Sequence, residues 1–232
     1  SFDFEDHIIL CEWNSRAKEI LNELRKDDRC QETPIALIAD IEYKPVEDEF
    51  LYFIRGAVNE ENLRRAKIEK AKTVIILGRD DLDDNARDAQ AVLTTLAVES
   101  MNRDAYTIVE LVDESNVRHC ERANADEIIV GAEFSSKLLS RAALDHGISK
   151  VISELLSSNV GNELYLIALP KHLVGKPFIE VFTEMKQSDN YIVLAVQPRA
   201  NGRLISNPPV DYRLQSGDQL IVISPTRTEK DS

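Results

Sequence analysis

The sequence predicts an α/β fold, a parallel sheet wound with helices, followed by a helical crossover and a small α+β C-terminal subdomain. Short apolar runs bounded by polar turns recur through the first 130 residues, with helically spaced apolar positions between them. The first run, Ile8-Ile9-Leu10, is continuously apolar, which suits a strand buried on both faces. Beyond residue 160 the pattern changes to alternating strands around one helix. Strands that alternate with helices at this spacing pair in parallel through right-handed crossovers, so the first part reads as a Rossmann-like sheet.

The elements follow in order. Ala17, Ile20, Leu21 and Leu24 place one apolar face on a helix running from Ser15 to about Lys26. Residues 35–39 form a second strand closed by Asp40, and 51–55 a third closed by Gly56. Asn59 is placed to cap a helix over 60–70, whose first turn carries Glu60 and Glu61 to complement the helix dipole. A fourth strand over 73–77 leads through an acidic loop, 79–84, into a helix over 85–100. A fifth strand covers 106–111, Asp113 or Ser115 caps a helix running to about Ala123, and 128–130 is the sixth strand.

Two helical stretches broken near His146-Gly147 then occupy 135–156. Their apolar positions, among them Leu138, Leu139, Leu144, Val151, Ile152 and Leu155, spread over more than one face. They predict either a terminal helix on the core with a linker helix, or a crossover that packs on another subunit. Residues 159–162 make a Gly-containing joint, after which 164–169, 191–197 and 219–224 read as strands and 178–185 as a helix. Asn201-Gly202 marks a hairpin turn and Asn207-Pro208-Pro209 an extended loop. The expected division is 1–134 for the Rossmann-like part, 135–160 for the crossover and 161–232 for the small subdomain.

The balance of 41 acidic against 28 basic residues gives a formal charge of −13, which argues against nucleic acid or anionic lipid as a partner. Cys11, Cys30 and Cys120 lie far apart with no C-x-x-C spacing, which fits a reducing cytoplasm and not a zinc site. No run approaches the ~20 apolar residues of a membrane helix. His7, His119, His146 and His172 are scattered without ligand spacing, and no G-x-S-x-G nucleophile motif is present. The residues therefore argue against an enzyme.

In a dinucleotide-binding unit the turn after the first strand reads G-x-G-x-x-G, so that bare backbone can approach a pyrophosphate at the helix N-terminus. Here those three positions are Glu12, Asn14 and Ala17. A carboxylate stands where the phosphates come closest, so the sequence argues against NAD and leaves room for an adenine nucleotide or a cation. Glu12, Trp13 and Asn14 form the loop at the carboxyl edge of the first strand, and Asp40 is placed to meet a ribose hydroxyl. The alternative is that Trp13 packs and Asp40 closes a turn. A second constellation is acidic: Asp80, Asp81, Asp83 and Asp84 follow strand four, while Glu110 and Asp113 end strand five. Converging carboxylate oxygens suit a hard cation such as calcium, and a solvated acidic loop is the alternative. From these two groups the cofactor-binding candidates are Glu12, Trp13, Asn14 and Asp40, and the metal candidates Asp80, Asp81, Glu110 and Asp113.

Cys11-Glu12-Trp13-Asn14 followed by Ala17-Lys18-Glu19-Ile20, together with Val109-Glu110-Leu111-Val112-Asp113 and Asn116, resembles the cytoplasmic domains of prokaryotic potassium channels. Gly175-Lys176-Pro177-Phe178 and Leu214-Gln215-Ser216-Gly217-Asp218 extend the resemblance to the whole RCK domain, the regulator of potassium conductance. These channels usually carry Gly where this chain has Glu12. The resemblance implies a ligand-gated domain on the cytoplasmic side of the membrane, cut from a longer channel polypeptide. It would self-associate as dimers and as an octameric ring below the pore domain, with residues 135–156 holding two copies face to face. Calcium-gated relatives place carboxylates where Glu110 stands, whereas Val112 replaces a second expected glutamate. A regulatory subunit of Trk or Ktr uptake systems is the alternative, although those normally keep the glycine-rich turn. A Rossmann oxidoreductase is a further one, opposed by the missing glycines and the lack of an acid or base facing the crevice.

Overall fold

A computed structural model describes residues 3–158, 160–199 and 202–225. The chain divides into two compact units, Ser1–Leu144 and Asp145–Ser232.

The first unit is built on six parallel strands, β1 (Ile8–Cys11), β2 (Ile35–Ala39), β3 (Leu51–Arg55), β4 (Thr73–Ile76), β5 (Tyr106–Leu111) and β6 (Glu127–Val130). Their order across the sheet is β3-β2-β1-β4-β5-β6, and Ile8 of β1 pairs with Ile35 on one side and Thr73 on the other. The chain thus winds outward from β1, then returns and winds the other way from β4. The crevice between the carboxyl ends of those two strands is the topological switch point, where ligands of open α/β sheets bind.

Alternation along the strands sorts side chains onto two faces. Ile9, Cys11, Ile38, Ile54, Val74 and Val109 enter one core. Leu10, Leu37, Leu51 and Leu77 meet Ala17 and Leu21 of α1 (Ala17–Lys26) in the other. Every residue of β2 is buried, so its continuous apolar run is needed on both sides. The remaining helices are α2 (Glu60–Arg65), α3 (Asp84–Met101), α4 (Val117–Arg122) and α5 (Gly131–Leu144).

The helix expected over 60–70 stops at Arg65. Asn59 caps it as expected, accepting from the Asn62 amide at 2.9 Å. Lys67 then turns left-handed at φ 58°, and a one-turn 3-10 helix, Ile68–Lys70, drives Ile68 into the core. After β5, Asp113 accepts from the Ser115 amide and a 3-10 turn, Glu114–Asn116, precedes α4. The crossover helix expected from Ser135 begins at Gly131, directly on β6, and none of its residues is buried. Phe134, Leu139 and Leu144 are all exposed on it.

The second unit contains α6 (Ile148–Leu156), β7 (Asn162–Ala168), α7 (Phe178–Asp189), β8 (Ile192–Gln197), a two-residue β9 (Ile205–Ser206) and β10 (Gln219–Pro225). Its sheet is antiparallel in the order β7-β10-β8-β9. Leu214, Leu220 and Val222 join Phe178, Val181 and Met185 of α7 in one core. The helix expected to end at 185 continues to Asp189 because Asn190, at φ 56°, supplies the left-handed C-cap. β9 is an addition to the expected strands. Gly147, at φ 98°, precedes α6 where the helical break was expected. Leu155 is buried, whereas Val151 and Leu156 are exposed. Of the turns read from sequence, Asn159 of the joint and Asn201 of the hairpin lie outside the described residues.

Candidate functional site

The crevice is built where β1, β4 and β5 end. The Glu12 amide continues the β1 ladder by donating to the Ile38 carbonyl at 2.8 Å, but its own φ is 76°, in the left-handed region that favours glycine. The glycine of the dinucleotide fingerprint is thus replaced in residue type while its backbone conformation is retained. Burial pushes the Glu12 carboxyl up to about 7; Asp81 and Asp40 add to this, and Arg79 opposes it. Trp13 packs against the Leu10–Leu37 face of the core. Asp40 is exposed at the end of β2.

Asn14 is buried and ties three strand ends together. Its Nδ2 donates to the Gly78 carbonyl at 2.8 Å and to Glu110 Oε1 at 3.2 Å, while its Oδ1 accepts from the Arg16 amide at 3.0 Å. Glu110 also accepts from the Gly78 amide at 3.2 Å and from Arg87 Nη2 at 2.8 Å, and forms an ion pair with Arg16. The other Arg87 nitrogen, Nη1, donates to Asp80 at 2.9 Å. Asp80 in turn accepts from the Ser15 amide at 2.7 Å, which holds its carboxyl below the usual range. The chain's own carboxylate therefore sits against the turn into α1, where a dinucleotide fold places its pyrophosphate.

Arg87 lies across Gly78. A Cβ built on Gly78 would stand 2.1 Å from Arg87 Nε, so only glycine leaves room for this side chain. That Nε is buried without a partner. Arg16, Gly78 and Arg87 were not singled out from the sequence. The available signal was a basic residue just inside a helix that follows four aspartates, in the i+7 position from Asp80.

The expected metal ligands are separated by these pairings. Asp80 and Glu110 meet through Arg87, Asp81 pairs with Arg79 at 2.6 Å, and Asp113 caps the 3-10 turn. The Asp113 amide is held by Asp88, a buried carboxylate that also accepts from the Val112 amide and the Asn116 side chain. Among the described residues no group of three or more His, Cys, Asp or Glu side chains could hold a metal ion. Three of the four carboxylates, Asp80, Asp81 and Glu110, are thus held by guanidinium groups, while Asp113 is held by a backbone amide.

A second hollow of about 360 Å³ lies on the α1 side of the sheet, lined by Ile20, Ile75, Leu77, Ile108 and Ile129, with Arg16 and Glu110 at its edge. Among the described residues no helix is long and apolar enough to cross a membrane.

Two families match. The calcium-activated potassium channel slowpoke-like RCK domain covers residues 3–109, and a family described as Castor and Pollux, part of voltage-gated ion channel, covers 132–232. The chain is 24 % identical over 231 residues to the calcium-gated potassium channel TvoK of Thermoplasma volcanium, covering 97 % of this chain and 64 % of the relative. It is 30 % identical over 226 residues to the putative potassium channel protein YugO of Bacillus subtilis, covering 94 % and 65 %. The chain therefore spans just under two thirds of both relatives. The human SLO3 gating ring shares the fold, with a TM-score of 0.71 at 18 % identity over 97 % of this chain and 45 % of that one. With the switch-point sheet already in view, these matches make the chain similar to the RCK family, the regulators of potassium conductance, over residues 3–109.

Proposed function

We propose that this chain is the ligand-sensing gating domain of a potassium channel, acting on the cytoplasmic side of the membrane on a pore domain of the same channel, and that it is not an enzyme. The observation that carries this reading is the charge network at Glu110. It joins the ends of β1, β4 and β5 to α1 and α3, so a ligand that competes for Glu110 alters how five elements are held. A ligand shifts a gate only by its preference for one of two arrangements, and a network of exchangeable ion pairs provides such a pair of states.

The domain works as a dimer and in a ring of eight in this reading, supported by the exposed Phe134, Leu139 and Leu144 of α5 and the exposed Val151 and Leu156 of α6. Residues 135–160 then serve as the crossover between the Rossmann-like part, 1–134, and the small subdomain, 161–232. The net charge of −13 gives no support to a nucleic-acid partner.

The effector is a divalent cation or an adenine nucleotide. Calcium would bind at Asp80, Asp81 and Glu110 only after Arg87 and Arg79 release them, whereas a nucleotide would meet Glu12, Trp13, Asn14 and Asp40. The carboxylates of Glu12 and Asp80 at the turn are the grounds against NAD, so NAD belongs in the same test. Thermal unfolding is followed against calcium, magnesium, ADP and NAD, since anything that binds only the folded state raises its stability. For calcium we expect a rise in Tm that is abolished in Glu110→Gln with Asp81→Asn. An unchanged Tm with all four ligands would overturn the ligand-sensing role.

A further inference from the structure

His7 is completely buried at the start of β1, at the opposite end of that strand from the crevice. Its Nε2 lies 2.7 Å from the carbonyl oxygen of Ala66, just beyond α2. A carbonyl can only accept, so Nε2 carries the hydrogen and Nδ1 is left as a bare lone pair. That Nδ1 is buried with no partner. Phe4 stands edge-on to the imidazole at 4.3 Å between ring centres, and also meets the ring of Tyr52 of β3 at 5.1 Å.

The backbone of the same segment is stitched to the connection before β4. The Asp6 amide donates to Lys70 O at 2.8 Å, and the Lys72 and Thr73 amides donate to His7 O at 2.9 and 3.4 Å. Lys70 and Lys72 meet the segment through these backbone groups. Two carboxylates face the ring, Glu69 from the 3-10 turn and Asp6 from its own segment. Both favour a charged imidazole, yet burial outweighs them and the Ala66 hydrogen bond, and holds the pKa below its ordinary value.

The site is therefore made for neutral histidine. A second proton would go onto Nδ1, which is buried and has no acceptor. We infer that residues 4–7 form an acid-releasable strap, held across the base of the sheet only while His7 is neutral. Because the closed-state pKa is depressed, the strap's contribution is complete above the ordinary histidine value of 6.5 and is lost as pH falls below it. An opened strap titrating at the ordinary value gains at most about 30-fold in relative population at pH 5.0.

Hydrogen exchange of the whole chain at pH 7.5 and pH 5.0, corrected for the intrinsic rate, reads this directly. The Lys72 amide should lose up to about 30-fold in protection on acidification. In His7→Gln, which keeps a donor toward Ala66 but cannot titrate, it should lose none. Equal losses in both proteins, or no loss in the unmodified one, would overturn the inference. Should His7→Gln not fold, the imidazole titration of the unmodified protein followed by NMR decides alone. A neutral Nε2–H form with a midpoint below 6.5 supports the strap, and a midpoint at or above 6.5 refutes it.

Discussion

Glu12→Gly should stabilise the protein at neutral pH, for two separable reasons. Glu12 holds a φ of 76°, and an L residue in that region costs about 1–2 kcal/mol, of which the greater freedom of unfolded glycine returns about 0.5–1. Its carboxyl, raised by burial from 4.5 to about 7, is also ionised against its surroundings above that pH. At ~1.4 kcal/mol per pH unit this second part could reach about 3 kcal/mol, and partial exposure to water reduces it to about 1–2. The net expectation is a gain of about 2 kcal/mol at pH 7.5, or about 4–8 °C in Tm for a domain of this size. The sign follows from linkage: the folded state holds its proton more tightly, so stability is complete below pH 4.5 and falls as pH rises towards 7. Glu12→Gln separates the two parts, since it removes the charge and keeps the backbone. Its gain over the unmodified protein should appear only as pH rises through that window, whereas Glu12→Gly should keep part of its gain at pH 4. Urea unfolding from pH 4 to pH 8 measures both. A flat Glu12→Gln difference would refute the burial argument, and a Glu12→Gly no better than Glu12→Gln would refute the backbone one.

Gly78→Ala brings a methyl group to 2.1 Å from Arg87 Nε, so it should cost about 1–3 kcal/mol and loosen the Arg87 bonds to Glu110 and Asp80; chemical denaturation reports the loss, and an unchanged midpoint would contradict it. Asp80→Ala removes the carboxylate from the Ser15 amide and should tighten ADP binding about tenfold by calorimetry, equivalent to ~1.4 kcal/mol; equal affinities would show that Asp80 does not guard the turn. Phe134→Asp with Leu139→Asp should convert the proposed dimer to monomer in light scattering, because both side chains are exposed on α5. An unmodified protein that is itself monomeric at micromolar concentration would refute the interface.

The strand β2 was legible because it is buried on both faces and so must be apolar throughout, residue by residue. The Asn59 cap was equally legible, since it depends on one side chain and an amide three residues away. The break at Lys67 was not, because a left-handed lysine carries no compositional mark and is imposed by the burial of Ile68. At the crevice, the sequence identified Asn14, Asp80 and Glu110 as residues of interest but gave no means of pairing them. Their association is set by Arg87 reaching across Gly78, a contact that exists only once β4 and α3 are side by side. The acidic cluster read in the sequence as a cation site or a solvated loop therefore carried no mark of the arginines that pair with Asp80, Asp81 and Glu110.

The two sheets differ in when their middle strand is synthesised. In the first unit β1 is both the earliest strand and an inner one, so pairing can spread outward as later strands leave the ribosome. In the second unit β10 is made last and lies between β7 and β8, pairing Ala168 with Gln219 and Val196 with Leu220. Until it arrives, β7 and β8 each hold an unpaired edge with nothing between them, a state that invites pairing with other chains. The first unit can thus assemble during translation, while the second must wait for residues 219–225 and then close at once. A chain stopped before Gln219 would release a nascent product with a finished first unit and two sticky, partnerless strands behind it.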